Sequence, residues 1–379
     1  MAGIYIHIPF CASRCIYCDF FSTTRLEERR RYVDALCKET SQRKSFFRQG
    51  GQPVNTLYLG GGTPSQLSIS DLKRLFDTVY SNFDIADDAE VTMECNPEDV
   101  SASFLTGLRQ TPVNRLSFGI QTFDDRRLRL LHRRHSSQKA VEAVEASQER
   151  GFSNISIDLM FGFPDETLDD WRQDVEQALT LGVQHLSAYS LMYENGTQLT
   201  RLRDEGKITP VDDELSLSMY ELLTDQMKAN GFEHYEISNF SLPGCRSRHN
   251  MSYWKGVPYL GLGAGAHSFK GNRRRWNVTS LNSYIKGVET ERGYFEEETL
   301  TTTDQYNEYV MTRLRTCEGI DTEDFSKRFS SAMVDYFQRM VSQHIQSGNV
   351  ENADGKILFS RKGLYISDSI LSDLFYIKN

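Results

Sequence analysis

The 379-residue chain carries a formal net charge of −9, with 39% hydrophobic and 25% charged residues. These values are typical of a globular protein with a large core, and the acidic balance argues against bulk nucleic acid as the main partner. No apolar run approaches the roughly 18 residues of a membrane span, so we expect no transmembrane segment. The first predicted strand begins almost at Met1, which leaves no room for a signal peptide, and we therefore expect a cytoplasmic chain with reduced thiols.

Short β-rich runs alternate with long amphipathic stretches along most of the chain. The predicted strands cover residues 4–8, 56–59, 90–94, 115–118, 155–159 and 185–189, and the main predicted helices cover 27–47, 70–83, 136–150, 168–181 and 213–230. Repeated strand–helix units predict a parallel sheet with helices outside it, an α/β fold partly or fully closed into a (β/α) barrel. Polar and glycine-rich segments follow the strands, where such folds build their sites.

The pattern changes after about Leu281. Residues 301–335 are predicted to be helical, and a β-hairpin is predicted from 357–359, a turn at 361–363 and a second arm at 364–366. We therefore expect a barrel domain over 1–280 and a small α+β domain over 281–379, packed beside or over the barrel mouth.

Three cysteines, Cys11, Cys15 and Cys18, follow the first strand at the spacing C-x3-C-x2-C. Thiolates are the usual ligands of iron–sulfur clusters, and this spacing lets one loop reach three irons of a [4Fe–4S] cube. Asp19 and Phe20 come next, so the fourth iron is left open to a small molecule. The alternative is a structural zinc site, but zinc usually takes four protein ligands in paired C-x2-C spacings, and no second pair occurs here.

The triplet in this position resembles the signature of the radical S-adenosylmethionine (SAM) superfamily. The resemblance implies that the open iron binds the amino and carboxylate groups of SAM. It also implies that an electron delivered to the cluster cleaves SAM to methionine and a 5′-deoxyadenosyl radical. The protein would orient the cofactors and provide their electrostatic environment.

Polar groups suited to such a ligand follow or end the next predicted strands. The run GGGTP at 60–64 lets backbone amides approach a ligand closely, and Arg133 can pair with a carboxylate. Glu94 and Gln121 end strands and can bond a ribose, and Asp158 is a charge inside an apolar strand. Taken singly, each has the alternative of a loop cap or a surface ion pair. Their occurrence on successive strands favours one shared ligand.

Five motifs resemble one branch of the superfamily, oxygen-independent coproporphyrinogen III oxidase (HemN) and its relatives, and they extend over nearly the whole chain. They are YIHIPFC at 5–11, GGGTP at 60–64, ECNP at 94–97, SFGIQ at 117–121 and IDLMFGFP at 157–164. In that family the residues that contact SAM match Tyr5, Tyr17, Gly62, Thr63, Glu94, Gln121, Arg133 and Asp158, and Met192 and His267 also align with contact positions.

Two departures from HemN resemble the HemW heme chaperone branch instead. HemN has a further cysteine where Phe20 stands here, and it has a long segment before the first strand. A third similarity is the H-N-x-x-Y-W motif, formed by His249, Asn250, Tyr253 and Trp254. The resemblance implies heme contact at this motif, with His249 as the candidate iron ligand. The alternative is a buried polar histidine in an aromatic cluster.

Three functions are consistent with these residues. We favour a heme chaperone that transfers heme to apo-hemoproteins; the resemblance also implies an electron donor, a homodimer and transient association with a membrane. The second hypothesis is oxidative decarboxylation of coproporphyrinogen III propionates to vinyl groups, so whether the chain is an enzyme stays open. The third, a radical SAM enzyme acting on RNA, rests only on arginine clusters and conflicts with the acidic net charge.

Overall fold

The computed structural model describes residues 2–47, 51 and 53–377. Six strands of the first half form a parallel series in the order β1 to β6. They are β1 (Gly3–Ile8), β2 (Val54–Gly61), β3 (Ile85–Cys95), β4 (Arg115–Gln121), β5 (Ile155–Phe161) and β6 (His185–Ser190). Each predicted strand is confirmed and is longer by one to several residues.

Helices connect and follow these strands on the outside. They are α1 (Arg29–Gln42), α2 (Ile69–Asn82), α3 (Ala102–Leu108), α4 (Asp125–Leu130), α5 (Ser137–Glu149), α6 (Leu168–Thr180), α7 (Gln198–Asp204) and α8 (Asp213–Ala229). Hydroxyl or carboxylate side chains accept hydrogen bonds from backbone N–H groups at several helix starts, as Ser68 does for α2 and Thr167 for α6. These caps fix the residue at which each helix begins. The first helix, α1, ends at Gln42 rather than at the predicted residue 47.

The parallel series is open, so the barrel is partial. The elements that follow it are β7 (Glu233–Glu236), β8 (Asn239–Ser241), α9 (Arg248–Trp254), β9 (Tyr259–Leu262), β10 (His267–Lys270), β11 (Arg273–Asn277), α10 (Leu281–Thr290) and β12 (Phe295–Thr299). Strand β9 pairs in parallel with β1, while β8 pairs antiparallel with β6. The described strands of this unit form one 12-stranded sheet, and its two ends do not meet each other.

Side chains of the parallel strands alternate between two environments. Apolar residues such as Ile6, Leu57 and Leu116 are fully buried under the outer helices. Polar residues at the alternate positions, such as Ser117 and Asp158, point to the interior of the partial barrel, where they line a cavity. The sheet therefore has an apolar outer face and a polar inner face.

A second core lies in the C-terminal part of the chain, over residues from Tyr306 to Leu374. Its elements are α11 (Thr302–Leu314), β13 (Ile320–Asp321), α12 (Thr322–Arg328), α13 (Ser331–Gln346), β14 (Val350–Ala353), β15 (Lys356–Phe359), α14 (Arg361–Tyr365) and α15 (Ser367–Leu374). The predicted helical stretch 301–335 is thus two complete helices and the start of a third, and β13 lies between the first two.

The predicted hairpin is wrong in its second arm. Residues 361–365 form α14, because the hydroxyl of Ser360 accepts a hydrogen bond from the Gly363 N–H and starts a helix there. The hairpin joins β14 and β15 instead, through Asp354 and Gly355, which both have positive φ. An Asp-Gly pair is a strong signal for this turn.

The predicted division after residue 280 separates α10 and β12 from the core into which they pack. Leu281, Tyr284 and Val288 belong to the larger core, and β12 is a strand of its sheet. On these packing grounds we propose a division near residue 300. The smaller unit contacts α9 and β7, for example through Arg315, which donates to Glu236 at 2.7 Å. It therefore lies beside the barrel.

None of the helices in the described ranges combines the length and apolar character that would let it cross a membrane.

Candidate functional site

The inner face of the partial barrel encloses a cavity of about 360 Å³. Its mouth is formed by the loop after β1 and by residues that follow β6, and its floor lies near the starts of β4 and β6. Predicted site residues that line it are Cys11, Cys15, Tyr17, Cys18, Gly62, Thr63, Glu94, Gln121, Arg133, Asp158, Met192 and Asn250. Residues far apart in sequence thus share one chamber because the strand ends meet at one edge of the sheet.

The three cysteines lie together at the mouth, and each is partly exposed. The Thr63 hydroxyl donates to Cys11 Sγ at 3.4 Å, and Arg133 Nη1 donates to Cys15 Sγ at 3.7 Å. Such donors stabilise thiolate sulfur. Burial raises the pKa of Cys18 to about 11, so metal binding there must displace a proton.

The donor set fits an iron–sulfur cube better than one metal ion. In the described part of the chain, no three His, Cys, Asp or Glu side chains surround a point where a single ion would sit. A cube holds its irons at separate corners, so its thiolate ligands need not converge on one point.

Glu94 and Asp158 are the two carboxylates in the middle of the cavity. Glu94 accepts hydrogen bonds from Tyr58 OH at 2.7 Å and from the Gly61 N–H at 3.0 Å. Burial, and then the charge of Asp158, raises the pKa of Glu94 to about 7, and burial raises that of Asp158 to about 6. Each carboxylate keeps lone pairs that face the cavity and can accept from hydroxyls or an amine.

Gln121 and Arg133 face the same space from β4 and the segment after α4. Gln121 has φ of 73° at a register shift of the strand pair, a left-handed conformation that turns its side chain into the cavity. Arg133 Nη2 donates to Asn96 Oδ1 at 2.9 Å and to the Gly119 carbonyl. The guanidinium is therefore held in place beside the cysteines before any ligand arrives.

Gly61 at the end of β2 and Gly62 after it line the cavity and also pack closely against neighbouring elements. A Cβ at Gly61 would lie 2.3 Å from the His7 ring, and one at Gly62 would lie 2.7 Å from the Pro9 backbone. The Gly61 N–H is already bonded to Glu94. These glycines are required by close packing against β1 and the cysteine loop, and they place Thr63 at the mouth.

Comparisons with known proteins agree with this geometry. Residues 5–178 match the model of the Radical SAM superfamily, and residues 300–366 match that of the HemN C-terminal domain. The chain is 34% identical to "Heme chaperone HemW" of Bacillus subtilis over 98% of both chains, and 33% identical to the Escherichia coli protein of the same name over 85% of both.

This chain belongs to the HemW family of radical SAM proteins. The solved structure of Escherichia coli HemN, a coproporphyrinogen III oxidase, has the same fold, with a TM-score of 0.85 at 23% identity over 99% of this chain and 90% of that one. Membership of the radical SAM superfamily implies a [4Fe–4S] cluster and SAM.

The family motif H-N-x-x-Y-W lies on α9, below the cavity floor. His249 Nδ1 is bonded to Thr56 Oγ1 at 2.8 Å and its Nε2 to Tyr253 OH at 2.8 Å, and the ring stacks on Tyr58. Burial, and then the charge of Arg115, lowers the pKa of His249 to about 3, so the ring is neutral. Both nitrogens are occupied, and this geometry does not support the predicted iron ligation.

The other motif residues divide between two places. Asn250 lines the cavity, whereas the Trp254 ring lies 4.7 Å from the Arg315 guanidinium, facing the C-terminal unit. Tyr253 packs between His249 and Tyr259. Only Asn250 is thus placed to touch a cavity ligand.

Two residues predicted to contact SAM lie outside the cavity lining. Tyr5 bonds His7 Nδ1 at 3.0 Å and stacks near Tyr58, so it supports the wall from behind. His267 is exposed at the start of β10 and stacks on Trp276. In this conformation neither reaches the chamber that holds the cysteines.

Sequence reasoning missed several residues of the floor. They are Tyr58, Arg115, Ser117, Ser156, His185 and Ser187. A signal was present, since polar residues alternate with apolar ones in each of these strands and an inward-facing polar row is what a polar cavity requires. The strands were predicted, but their two faces were not assigned.

Proposed function

We propose that this chain is a radical SAM heme chaperone, which binds heme at the cavity mouth and transfers it to apo-hemoproteins. The observation that carries the proposal is an apolar rim above the cysteines. Phe20 and Met192 are 65% and 64% exposed, and Tyr189 beside them is 42% exposed. Large exposed apolar side chains grouped at one opening mark a binding surface, and a flat porphyrin is a ligand of that character. The names of the relatives support the same function.

In this proposal Cys11, Cys15 and Cys18 hold the cluster, which supplies one-electron chemistry when reduced by a donor protein. Glu94, Gln121, Arg133 and Asp158, together with Tyr17, Gly62 and Thr63, hold SAM. The two carboxylates orient hydroxyl and amine groups, and Arg133 provides a fixed positive charge beside the loop. The SAM roles of Tyr5 and His267 would require a conformational change, as would heme ligation by His249.

The proposal extends to partners and compartment. Apo-hemoprotein recipients and an electron donor follow from the chaperone function. A cytoplasmic setting would keep the thiols reduced, and transient membrane contact would use the apolar rim rather than the net charge of −9. A homodimer would let two apolar rims face each other.

Heme titration of the reconstituted chain tests the proposal. Replacing Phe20 and Met192 by serine removes two exposed apolar side chains, and we expect the heme Kd to rise at least about tenfold, because each contributes about 1 kcal/mol when buried. The measurement is the Soret shift under anaerobic conditions. Tyr80→Ser is the matched control, since Tyr80 is 42% exposed and lies on α2, away from the cavity lining.

Two outcomes would contradict the proposal. One is equal heme affinity in the double variant and the original chain, with the iron–sulfur absorption retained in both. The other is conversion of coproporphyrinogen III to protoporphyrinogen by the reconstituted chain with SAM, which would favour the oxidase. His249→Ala is unsuited to this test, because it leaves the Thr56 and Tyr253 hydroxyls without their partner and creates a void.

A further inference from the structure

The floor of the cavity contains a buried arginine that forms no ion pair with any described residue. Arg115 begins β4 and is only 2% exposed, yet it lines the cavity. Its Nε is buried without a hydrogen-bond partner. No carboxylate oxygen of the described residues lies within 4.0 Å of its guanidinium nitrogens, the distance that defines an ion pair. A buried guanidinium without a partner is costly, by several kcal/mol in general, so such a group is expected to have a ligand.

The neighbours of Arg115 do not supply the missing negative charge. His185 Nδ1 is bonded to Ser156 Oγ at 2.7 Å and its Nε2 to Tyr235 OH at 2.7 Å. Burial, and then Arg115 itself, lowers the pKa of His185 well below its usual value, so this ring is neutral, as is that of His249. The carboxylates Glu94 and Asp158 act on Arg115 only from beyond ion-pair distance.

A second side chain that lines the same cavity also has unused donors. Asn250 uses its backbone N–H to contact Ser247, but in the described part of the chain its side-chain amide forms no hydrogen bond, and it lines the cavity. An amide and a guanidinium that both face one space provide several N–H donors. The hydroxyls of Ser117 and Ser187 also line the cavity, and they are polar but uncharged.

We propose that this floor binds the carboxylate group of a small organic molecule, held by the fork of Arg115 and by the Asn250 amide. A guanidinium matches a carboxylate in bidentate geometry, and one cation without a second beside it suits a monoanion better than a phosphate. Because the cavity is continuous from this floor to the cysteines, the rest of the ligand extends toward the mouth. The site does not depend on heme binding.

Calorimetric titration of the reconstituted chain with propionate tests the site, with propionamide as the uncharged analogue. We expect propionate to bind and propionamide not to bind. Arg115→Gln should raise the propionate Kd at least about tenfold, and Asn250→Ala about fivefold, because a charge-assisted hydrogen bond is stronger than a neutral one. Arg129→Gln is the matched control, since it removes the same charge from an exposed position on α4.

The result that overturns the site is propionate binding of equal strength in Arg115→Gln and the original chain, or no propionate binding by the original chain. If Arg115→Gln does not fold, Arg115→Lys keeps the charge but loses the fork, and it should weaken propionate binding while thermal unfolding stays cooperative. Undiminished propionate binding in both Arg115→Lys and Asn250→Ala would also rule out the site. Heme affinity is measured separately, so a failure of the chaperone function is distinguishable from a failure of this site.

Discussion

Buried polar groups differ in their hydrogen bonding between two regions of the molecule. One region is the layer that separates the strands from the outer helices, and the other is the cavity enclosed by the strands. In the layer, Glu39 accepts from the Gly263 N–H at 2.8 Å, from Asn277 Nδ2 at 2.8 Å and from Tyr284 OH at 2.6 Å. In the cavity, Arg115 and Asn250 have side-chain donors that the described chain does not use. Glu39 in the layer is thus fully paired by the chain itself, whereas these two cavity side chains keep donors that a ligand can use.

The same difference separates two buried arginines. Arg127, between α4 and α6, is 2% exposed and donates to Asp124 at 3.1 Å and to Asp170 at 2.8 Å. Arg115 is equally buried and has no such partner in the described residues. Equal burial with unequal pairing makes these two positions a direct test of the contrast.

The largest effect is expected from replacing each arginine by methionine, which has similar length and no charge. Arg127→Met should lower the free energy of unfolding by about 2 kcal/mol, because it leaves two half-buried carboxylates without their cation. Arg115→Met should raise it by about 1 kcal/mol in the ligand-free chain, because it removes an unpaired buried charge. Urea unfolding at constant pH measures both values.

The contrast fails if Arg115→Met destabilises the chain as much as Arg127→Met does. That result would mean that Arg115 contributes to packing or pairing that the ligand-free fold needs. Exposed Arg129→Met controls for the general loss of one positive charge, and it should stay within about 0.5 kcal/mol of the original chain.

The parts of this molecule that sequence predicted are those set by local pattern. The strand–helix alternation, the cysteine loop and the polar strand ends depend on residues close together in the chain, so their spacing reveals them. The predicted hairpin lies too far along the chain, because the turn is at Asp354-Gly355 and Ser360 caps a helix where the second arm was expected.

The hydrogen bonding of His249 depends instead on residues far away in the sequence. Thr56 lies 193 residues before it, and Glu90, which accepts hydrogen bonds from the N–H groups at the start of α9, lies 159 residues before it. No local motif can reveal such contacts. The role of Arg115 was hidden in a similar way, because its missing partner becomes evident only when all six inner strand faces are brought together.

A smaller effect should sharpen the contrast through pH. Since burial raises the folded-state pKa of Glu94 to about 7 from an ordinary value of 4.5, the folded chain binds more protons than the unfolded chain between these values. The free energy of unfolding should therefore fall as pH rises from about 4.5 to 7, by about 1 kcal/mol for this group, less than a sealed site would give because the cavity admits solvent. Glu94→Gln should remove that share of the slope.

The readout is the slope of unfolding free energy against pH, not its absolute value, because the new amide also changes the hydrogen bond with Gly61. Glu145→Gln, on the exposed face of α5, should leave the slope unchanged. A slope that is identical in Glu94→Gln and the original chain would show that the cavity carboxylate is ionised at low cost, as in a well-paired site.

The smallest effect on stability is expected at the cysteines, although the effect on the cofactor is total. Cys11, Cys15 and Cys18 are partly exposed at the mouth, where Thr63 donates to Cys11 and Arg133 donates to Cys15. Replacing all three by alanine should abolish the iron–sulfur absorption after reconstitution, yet change the unfolding free energy of the metal-free chain by no more than about 1 kcal/mol. Retained iron in the triple variant would refute the cluster assignment. Residues that serve a ligand should contribute little to the stability of the ligand-free fold. A large loss of metal-free stability would therefore show that the cysteines stabilise the fold itself, as Glu39 does.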